Sequence, residues 1–188
     1  MIIDVLYEYW YKEREEHERQ QNKIWITDLC RCPRKAEYEQ RFPNLVQSFR
    51  PVYILGHLVH VGLQSILKTY KDVEIEAKGE KQLDDYTVVG RIDVLLGDIG
   101  VEIKYSRDDK YLPYNHHVLQ CKLYNWLFEL DRTYLFYVTP DRIAEYEITE
   151  RATDDQVLKL IRQTKAPRFD WECRYCEFSC ICDVRKRE

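Results

Sequence analysis

The sequence predicts an α/β fold: a mixed sheet of about five strands flanked by helices, with a cysteine-rich tail. Three observations carry this. Apolar residues follow a helical period up to about residue 70 and a strict alternation from Val73 onward. Strand-like segments then recur on both sides of one helical segment at 114–130. Four of the seven cysteines crowd into the stretch from Cys173 to Cys182.

Residues 1–22 read as a helix, apolar at first through Ile2, Val5, Leu6, Tyr9 and Trp10, then a solvated charged run. Thr27 offers a hydroxyl to cap a short turn. Cys32-Pro33 starts a second helix, with proline at the first helical position where its missing N–H is harmless. It runs to about Gln40 and stops before Pro43. A third helix, from about Pro51 to Tyr70, is spaced by Leu55, Val59, Leu63, Ile66 and Leu67. Val73–Ala77 alternates as a half-buried strand does. Thr87–Leu96 and Val101–Ser106 are two further strands, and the glycines of Gly97-Asp98-Ile99-Gly100 suit a hairpin between them. Thr133–Val138 and Ala144–Ile148 flank Pro140-Asp141. Thr153-Asp154-Asp155-Gln156 has the form of a capping box and opens a last helix to about Thr164. Ala166-Pro167 then breaks the chain before the tail.

With 188 residues the chain is one domain, divided into a helical part (1–50), a core (51–165) and a cysteine segment (166–188). A hydrophobic content of 45% with 13% aromatics excludes a disordered chain. The net charge of -4 gives no overall basic field, so a nucleic-acid partner needs a local basic groove. No apolar run is long enough to cross a bilayer, and Met1-Ile2-Ile3-Asp4 lacks the basic start of a secretion signal. The expectation is a cytoplasmic protein without a membrane partner. In that compartment an odd cysteine number argues for metal rather than a disulfide framework.

The hairpin carries the chemistry. Glu102 and Lys104, two apart on a strand, project from one face. A hairpin closed symmetrically by Gly97 to Gly100 sets Asp93 across from Lys104 and Leu95 across from Glu102. Asp93 and Glu102 are then diagonal neighbours at roughly 7–8 Å. Two carboxylates at that separation can converge on Mg²⁺ or Mn²⁺, which activate water for phosphodiester cleavage. A lysine beside them can orient that water and offset phosphoryl charge. In the third helix, His57 and His60 each offer a neutral ligand, and spacing alone does not choose. Gln120 and Tyr124 share a helix face, where an amide and a phenol can hold DNA phosphate or an attacking water. His116 and His117 read as surface residues, and Cys121 as a small core residue.

Cys173-Arg174-Tyr175-Cys176, with Cys182 five residues further on, has the spacing of a zinc or iron–sulfur site. Cys180 competes as the third ligand. Cys30 or Cys32 can supply a fourth from the far end of the chain.

These motifs, in this order, resemble those of the RecB-type nucleases with a PD-(D/E)xK core, and specifically the CRISPR-associated exonucleases of Cas family four. Leu29-x-x-Cys32-Pro33-Arg34-x-x-x-Tyr38 is similar to the family's N-terminal signature and selects Cys32 over Cys30. Gly56-x-x-x-His60 selects His60 over His57. Gly90-x-x-Asp93, Glu102-x-Lys104 and Gln120-x-x-x-Tyr124 match the remaining nuclease motifs, and Cys173-x2-Cys176-x5-Cys182 leaves Cys180 as an extra. Thr27 stands where a serine is commoner. The resemblance implies a catalytic set of Lys104, Glu102, Asp93, Gln120 and Tyr124. It implies a divalent metal held by His60, Asp93, Glu102 and the backbone carbonyl of Ile103. It further implies an iron–sulfur cluster on Cys32, Cys173, Cys176 and Cys182, 4Fe-4S in most relatives and 2Fe-2S in some. The implied activity is manganese- or magnesium-dependent cleavage of single-stranded DNA and DNA ends, usually exonucleolytic from the 5′ end, with internal cutting or end unwinding in some relatives. The implied setting is CRISPR adaptation, with integrase proteins as partners and antiviral defence as the outcome. The competing readings are a non-catalytic DNA-end or PAM-binding subunit, a redox protein and a zinc-ribbon module. Oligomeric state is not readable from the sequence.

Overall fold

A computed structural model describes residues 1–15, 23–46 and 50–185. The helical elements are α1 (Ile2–Glu15), α2 (Ile26–Leu29), α3 (Pro33–Arg41), α4 (Pro51–Leu67), α5 (Asn115–Leu127), α6 (Asp154–Arg162) and α7 (Glu172–Tyr175). The strands are β1 (Lys23–Trp25), β2 (Val73–Leu83), β3 (Tyr86–Leu96), β4 (Ile99–Tyr105), β5 (Arg132–Val138) and β6 (Ile143–Ile148). The expected continuation of the first helix to residue 22 lies outside the described residues.

Among the described residues the sheet is mixed and has six strands rather than about five. The additional strand, β1, is three residues long, too short to show an alternation. It pairs parallel to β3 at Thr87–Val89. Thr27 lies within α2 and caps nothing; the residue before that turn is Trp25, which makes no side-chain cap bond. Thr153 does cap α6, its hydroxyl accepting from Gln156 N while Gln156 accepts from Thr153 N.

One register decides the site. β2 runs antiparallel to β3 from Leu83 to Val73 and occupies one whole edge of it. β1 and β4 therefore share the opposite edge, β1 at Thr87–Val89 and β4 at Val94–Leu96. The stretch Gly90–Asp93 between them is left without a strand partner on that side. The hairpin is also tighter than expected. Gly97 adopts φ 59°, a conformation glycine enters without steric penalty. Leu96 then pairs with Ile99 and Leu95 with Gly100, so the ladder points Asp93 toward Glu102 rather than toward Lys104. The shift is two residues, so it leaves every side chain on its expected face.

α5 packs against this sheet through Leu123, Tyr124 and Leu127, which join Ile26, Val88 and Ile92 in the main core. Gly90 permits the close approach: a Cβ there would stand 2.7 Å from Leu127 and 3.0 Å from Tyr124. Among the described residues no helix is long and apolar enough to cross a membrane.

Candidate active site and cysteine cavity

Where the β3–β4 ladder stops, side chains replace strand pairing. Asp93 sends Oδ2 across the gap to accept the Ile103 N–H at 2.6 Å. The N–H and C=O of one strand residue point to the same edge, so the Ile103 carbonyl faces this gap as well. Asp93 Oδ1 lies 3.3 Å from His60 Nδ1 on α4. Glu102 Oε1 accepts from Lys104 Nζ at 2.6 Å and from Gln120 Nε2 at 2.7 Å. Gln120 also reaches the Tyr124 hydroxyl at 3.1 Å, and that hydroxyl donates to the Arg91 carbonyl at 2.7 Å. On the other edge of β3, Gln64 donates to Glu76 Oε1 and to the Asp93 carbonyl. Arg91 pairs with the remaining Glu76 oxygen at 2.6 Å.

The electrostatics are those of two buried carboxylates held close together. Glu102 is 2% exposed, and its Oε2 is buried without a hydrogen-bond partner. A buried anionic oxygen left unpaired is expensive. Burial, helped by the Asp93 charge, accordingly raises the Glu102 pKa against the opposing pull of Lys104. Burial works against the Lys104 ammonium, but the Glu102 and Asp93 charges prevail and its pKa rises. His60 behaves likewise: desolvation lowers its pKa, the bond to Asp93 outweighs it, and the net direction is up. Glu102 Oε2, Asp93 Oδ1, the Ile103 carbonyl and the His60 imidazole are hard or borderline donors of the kind Mg²⁺ and Mn²⁺ accept. Among the described residues, no three His, Cys, Asp or Glu side chains already close around a common point. Here they face each other instead, His60 on Asp93 and Lys104 on Glu102.

A second constellation joins the two ends of the chain. A cavity of about 190 Å³ is lined by Cys32, Cys173, Cys176 and Cys182, with Tyr38, Trp171 and Lys35 among its other walls. Cys32 sits at the start of α3, aimed by Pro33; Cys173 lies in α7 and Cys176 just after it. Neither Cys30 nor Cys180 lines the cavity. Cys30 is 7% exposed in the main core, where burial pushes its thiol up to about 12, and Cys180 faces solvent. Four thiols around one chamber form a donor set suited to an iron–sulfur cluster or zinc. Polar ties close the chamber. Glu172 accepts from the Cys32 N–H at 2.6 Å and the Phe169 N–H at 2.8 Å, and Arg168 donates to the Arg31 carbonyl at 3.0 Å.

Fold and geometry find their counterpart in known proteins. The CRISPR-associated exonuclease Cas4 of Saccharolobus solfataricus is 39% identical over 200 residues, spanning 98% of this chain and 99% of that protein. The chain belongs to the Cas4 family of CRISPR-associated exonucleases. The crystal structure of SSO0001 superimposes with a TM-score of 0.95 at 39% identity, covering 100% of this chain and 98% of that one. An alkaline exonuclease from Laribacter hongkongensis matches at a TM-score of 0.53 and 13% identity, over 82% of this chain and 87% of its own. A phage-related exonuclease from Haemophilus somnus 129PT matches at 0.50 and 12%, over 74% and 88%. At such identities the last two show the fold alone, that of the RecB-like exonucleases. No family model matches the chain. Like other Cas4-family proteins it is a nuclease, and nucleases of this kind use divalent metal.

The structure brings together His60, Asp93, Glu102, Lys104, Gln120 and Tyr124, with Ile103 between them. His57 points elsewhere, to Tyr9. Two expectations need correction. Gln120 is 6% exposed and Tyr124 1%, so their polar groups are turned to Glu102 and the Arg91 carbonyl rather than to solvent. His116 and His117 are half-buried rather than open surface residues: His117 Nδ1 lies 2.7 Å from the Tyr137 hydroxyl and His116 packs on Trp171 at 4.8 Å. Burial pushes the His116 pKa down to about 4 and that of His117 well below the usual range. Sequence reasoning passed over Gln64, Glu172 and Arg168. Isolated polar residues carry no spacing signal, and only the partners identify them.

Proposed function

We propose that the chain is a divalent-metal-dependent DNA exonuclease acting on single-stranded ends, from the 5′ end. We further propose that it trims prespacers for integrase proteins during CRISPR adaptation in the cytoplasm, as one nuclease domain whose two ends are tied by an iron–sulfur cluster. The observation that carries the catalytic reading is the partnerless, buried Oε2 of Glu102 beside Asp93, at the point where the β3–β4 ladder ends. Asp93, Glu102, His60 and the Ile103 carbonyl would hold the cation. When bound, it supplies a Lewis acid for the phosphate and lowers the pKa of an attacking water. Lys104, held against Glu102, can offset charge developing on the phosphoryl oxygens and orient the water. Gln120 fixes the Glu102 carboxylate through Oε1, and Tyr124 holds Gln120 in that pose. Cys32, Cys173, Cys176 and Cys182 would hold the cluster.

The test is cleavage of end-labelled single- and double-stranded DNA with manganese by the wild type, Glu102→Ala and Lys104→Ala. Each substitution should reduce the rate at least about a hundredfold while circular dichroism and iron content stay unchanged. Near wild-type cleavage by either variant removes the hairpin from catalysis. Binding without cleavage by the wild type supports a DNA-end-binding subunit instead.

A further inference from the structure

Between the hairpin and the cysteine cavity lies a group of aromatic rings that the catalytic assignment does not use. Phe169 and Trp171 are stacked, with centroids 6.1 Å apart and an interplanar angle of 17°. His116 sits 4.8 Å from Trp171, and Tyr114 stacks on His116 at 5.7 Å and 15°. Trp171 is 46% exposed although it is the largest ring of the group. Trp171 thus offers ring surface to solvent while Phe169 and His116 hold it in place.

The group is fixed beside the reacting centre by three independent links. His116 and Gln120 stand one turn apart on α5, on the same face, and Gln120 holds Glu102. His117 bonds to Tyr137, which lies opposite Lys104 in the β4–β5 ladder. The Tyr114 hydroxyl lies 3.2 Å from Ser106 Oγ, two residues beyond Lys104. His116 is held neutral by burial and by the nearby Lys104 charge, so its imidazole serves as a flat, uncharged ring. On the far side Trp171 lines the cysteine cavity, and the Arg174 guanidinium lies over the Tyr175 ring at 5.7 Å.

We infer that Trp171, backed by Phe169 and His116, is a stacking platform for unpaired bases of the DNA strand entering the active site. Stacking on an aromatic face is available to every base, so it binds without regard to sequence. A base engaged in a duplex has its faces covered by neighbouring pairs. The platform therefore selects frayed or single-stranded ends and feeds the adjoining phosphodiester toward Glu102 and Lys104. The inference rests on the nuclease reading proposed above and adds to it the residues that recognise the strand.

The experiment is equilibrium binding of fluorescein-labelled single-stranded oligonucleotides to the full-length, iron-loaded protein without added divalent metal. Wild type, Trp171→Ala and Trp171→Phe are each paired with a normal oligonucleotide and with others carrying single abasic positions near either end. Trp171→Ala should weaken binding on the order of tenfold, and Trp171→Phe should retain most of the affinity. An abasic position should weaken wild type similarly yet leave Trp171→Ala unaffected. Iron content measured for each variant keeps a disturbed cavity from being mistaken for lost stacking, and the abasic series on wild type needs no variant to fold. Equal binding by wild type to normal and abasic strands overturns the platform, as does an abasic penalty of equal size in Trp171→Ala. In either case intact single-strand cleavage leaves the nuclease reading standing. Failure of the wild type to bind or cut single strands at all overturns both.

Discussion

Replacing Tyr124 by Phe deletes one oxygen and leaves the ring in place. That oxygen donates to the Arg91 carbonyl at 2.7 Å and accepts from Gln120 at 3.1 Å. Burial, reinforced by the Glu102 charge, pushes its pKa well above the usual range, so the donor proton is always present. The side chain is 1% exposed, and water cannot enter to replace either bond. Each lost bond costs about 1 kcal/mol net when its partner is left buried and unpaired, about 2 kcal/mol together. For a chain of this size that lowers the melting midpoint by about 4–8 °C. Cleavage should fall about tenfold, because Gln120 loses one of two anchors and Glu102 loses orientation with it. Metal affinity should change little, since Tyr124 is no ligand. Urea denaturation of wild type, Tyr124→Phe, Gln120→Ala and the double variant measures the coupling directly; the two losses should fall short of additivity by about 1 kcal/mol. An unchanged midpoint for Tyr124→Phe, or strictly additive losses, would refute the chain of bonds from Arg91 through Gln120 to Glu102.

Other perturbations have equally definite outcomes. Alanine at Cys32, Cys173, Cys176 or Cys182 should bleach the brown absorbance and destabilise the protein, whereas alanine at Cys30 or Cys180 should leave iron per chain nearly unchanged. Side-by-side iron assays check this, and bleaching by Cys180→Ala with retention in Cys182→Ala contradicts the assigned ligands. Glu172→Gln should cost about 1–3 kcal/mol in urea denaturation, because an amide accepts through only one of the two positions that now serve the Cys32 and Phe169 N–H groups. His116 and His117 both have depressed folded pKa values, so below the ordinary value of about 6.5 the unfolded chain takes up protons the folded one refuses. Their contribution is fully present above that pH and is lost as pH falls toward 4, at up to about 1.4 kcal/mol per proton per pH unit. In His117→Gln the stability curve between pH 6.5 and 5 should be shallower by about one proton; an unchanged slope means His117 is not held neutral.

Residue periodicity made much of this molecule legible before any coordinates. The shared face of Glu102 and Lys104 follows from the two-residue repeat of a strand, and the capping box at Thr153 from a four-residue pattern. The cysteine triplet is likewise a local spacing, and the face assignments survived a hairpin register two residues away from the expected one. All of these involve residues close in the chain, where backbone geometry alone relates the side chains. What remained hidden links distant segments. β1 is three residues long and exists because β3 offers it an open edge. The β3–β4 ladder ends at Val94, and just beyond it Asp93 reaches the Ile103 N–H while Glu102 Oε2 is left without a partner. Burial turned Gln120 and Tyr124 into interior groups and half-covered His116 and His117, although as letters all four read as polar. The closure of the cysteine cavity by Glu172 and Cys32 spans 140 residues of chain. Hydrogen bonds and desolvation depend on which surfaces meet, and no local repeat records that.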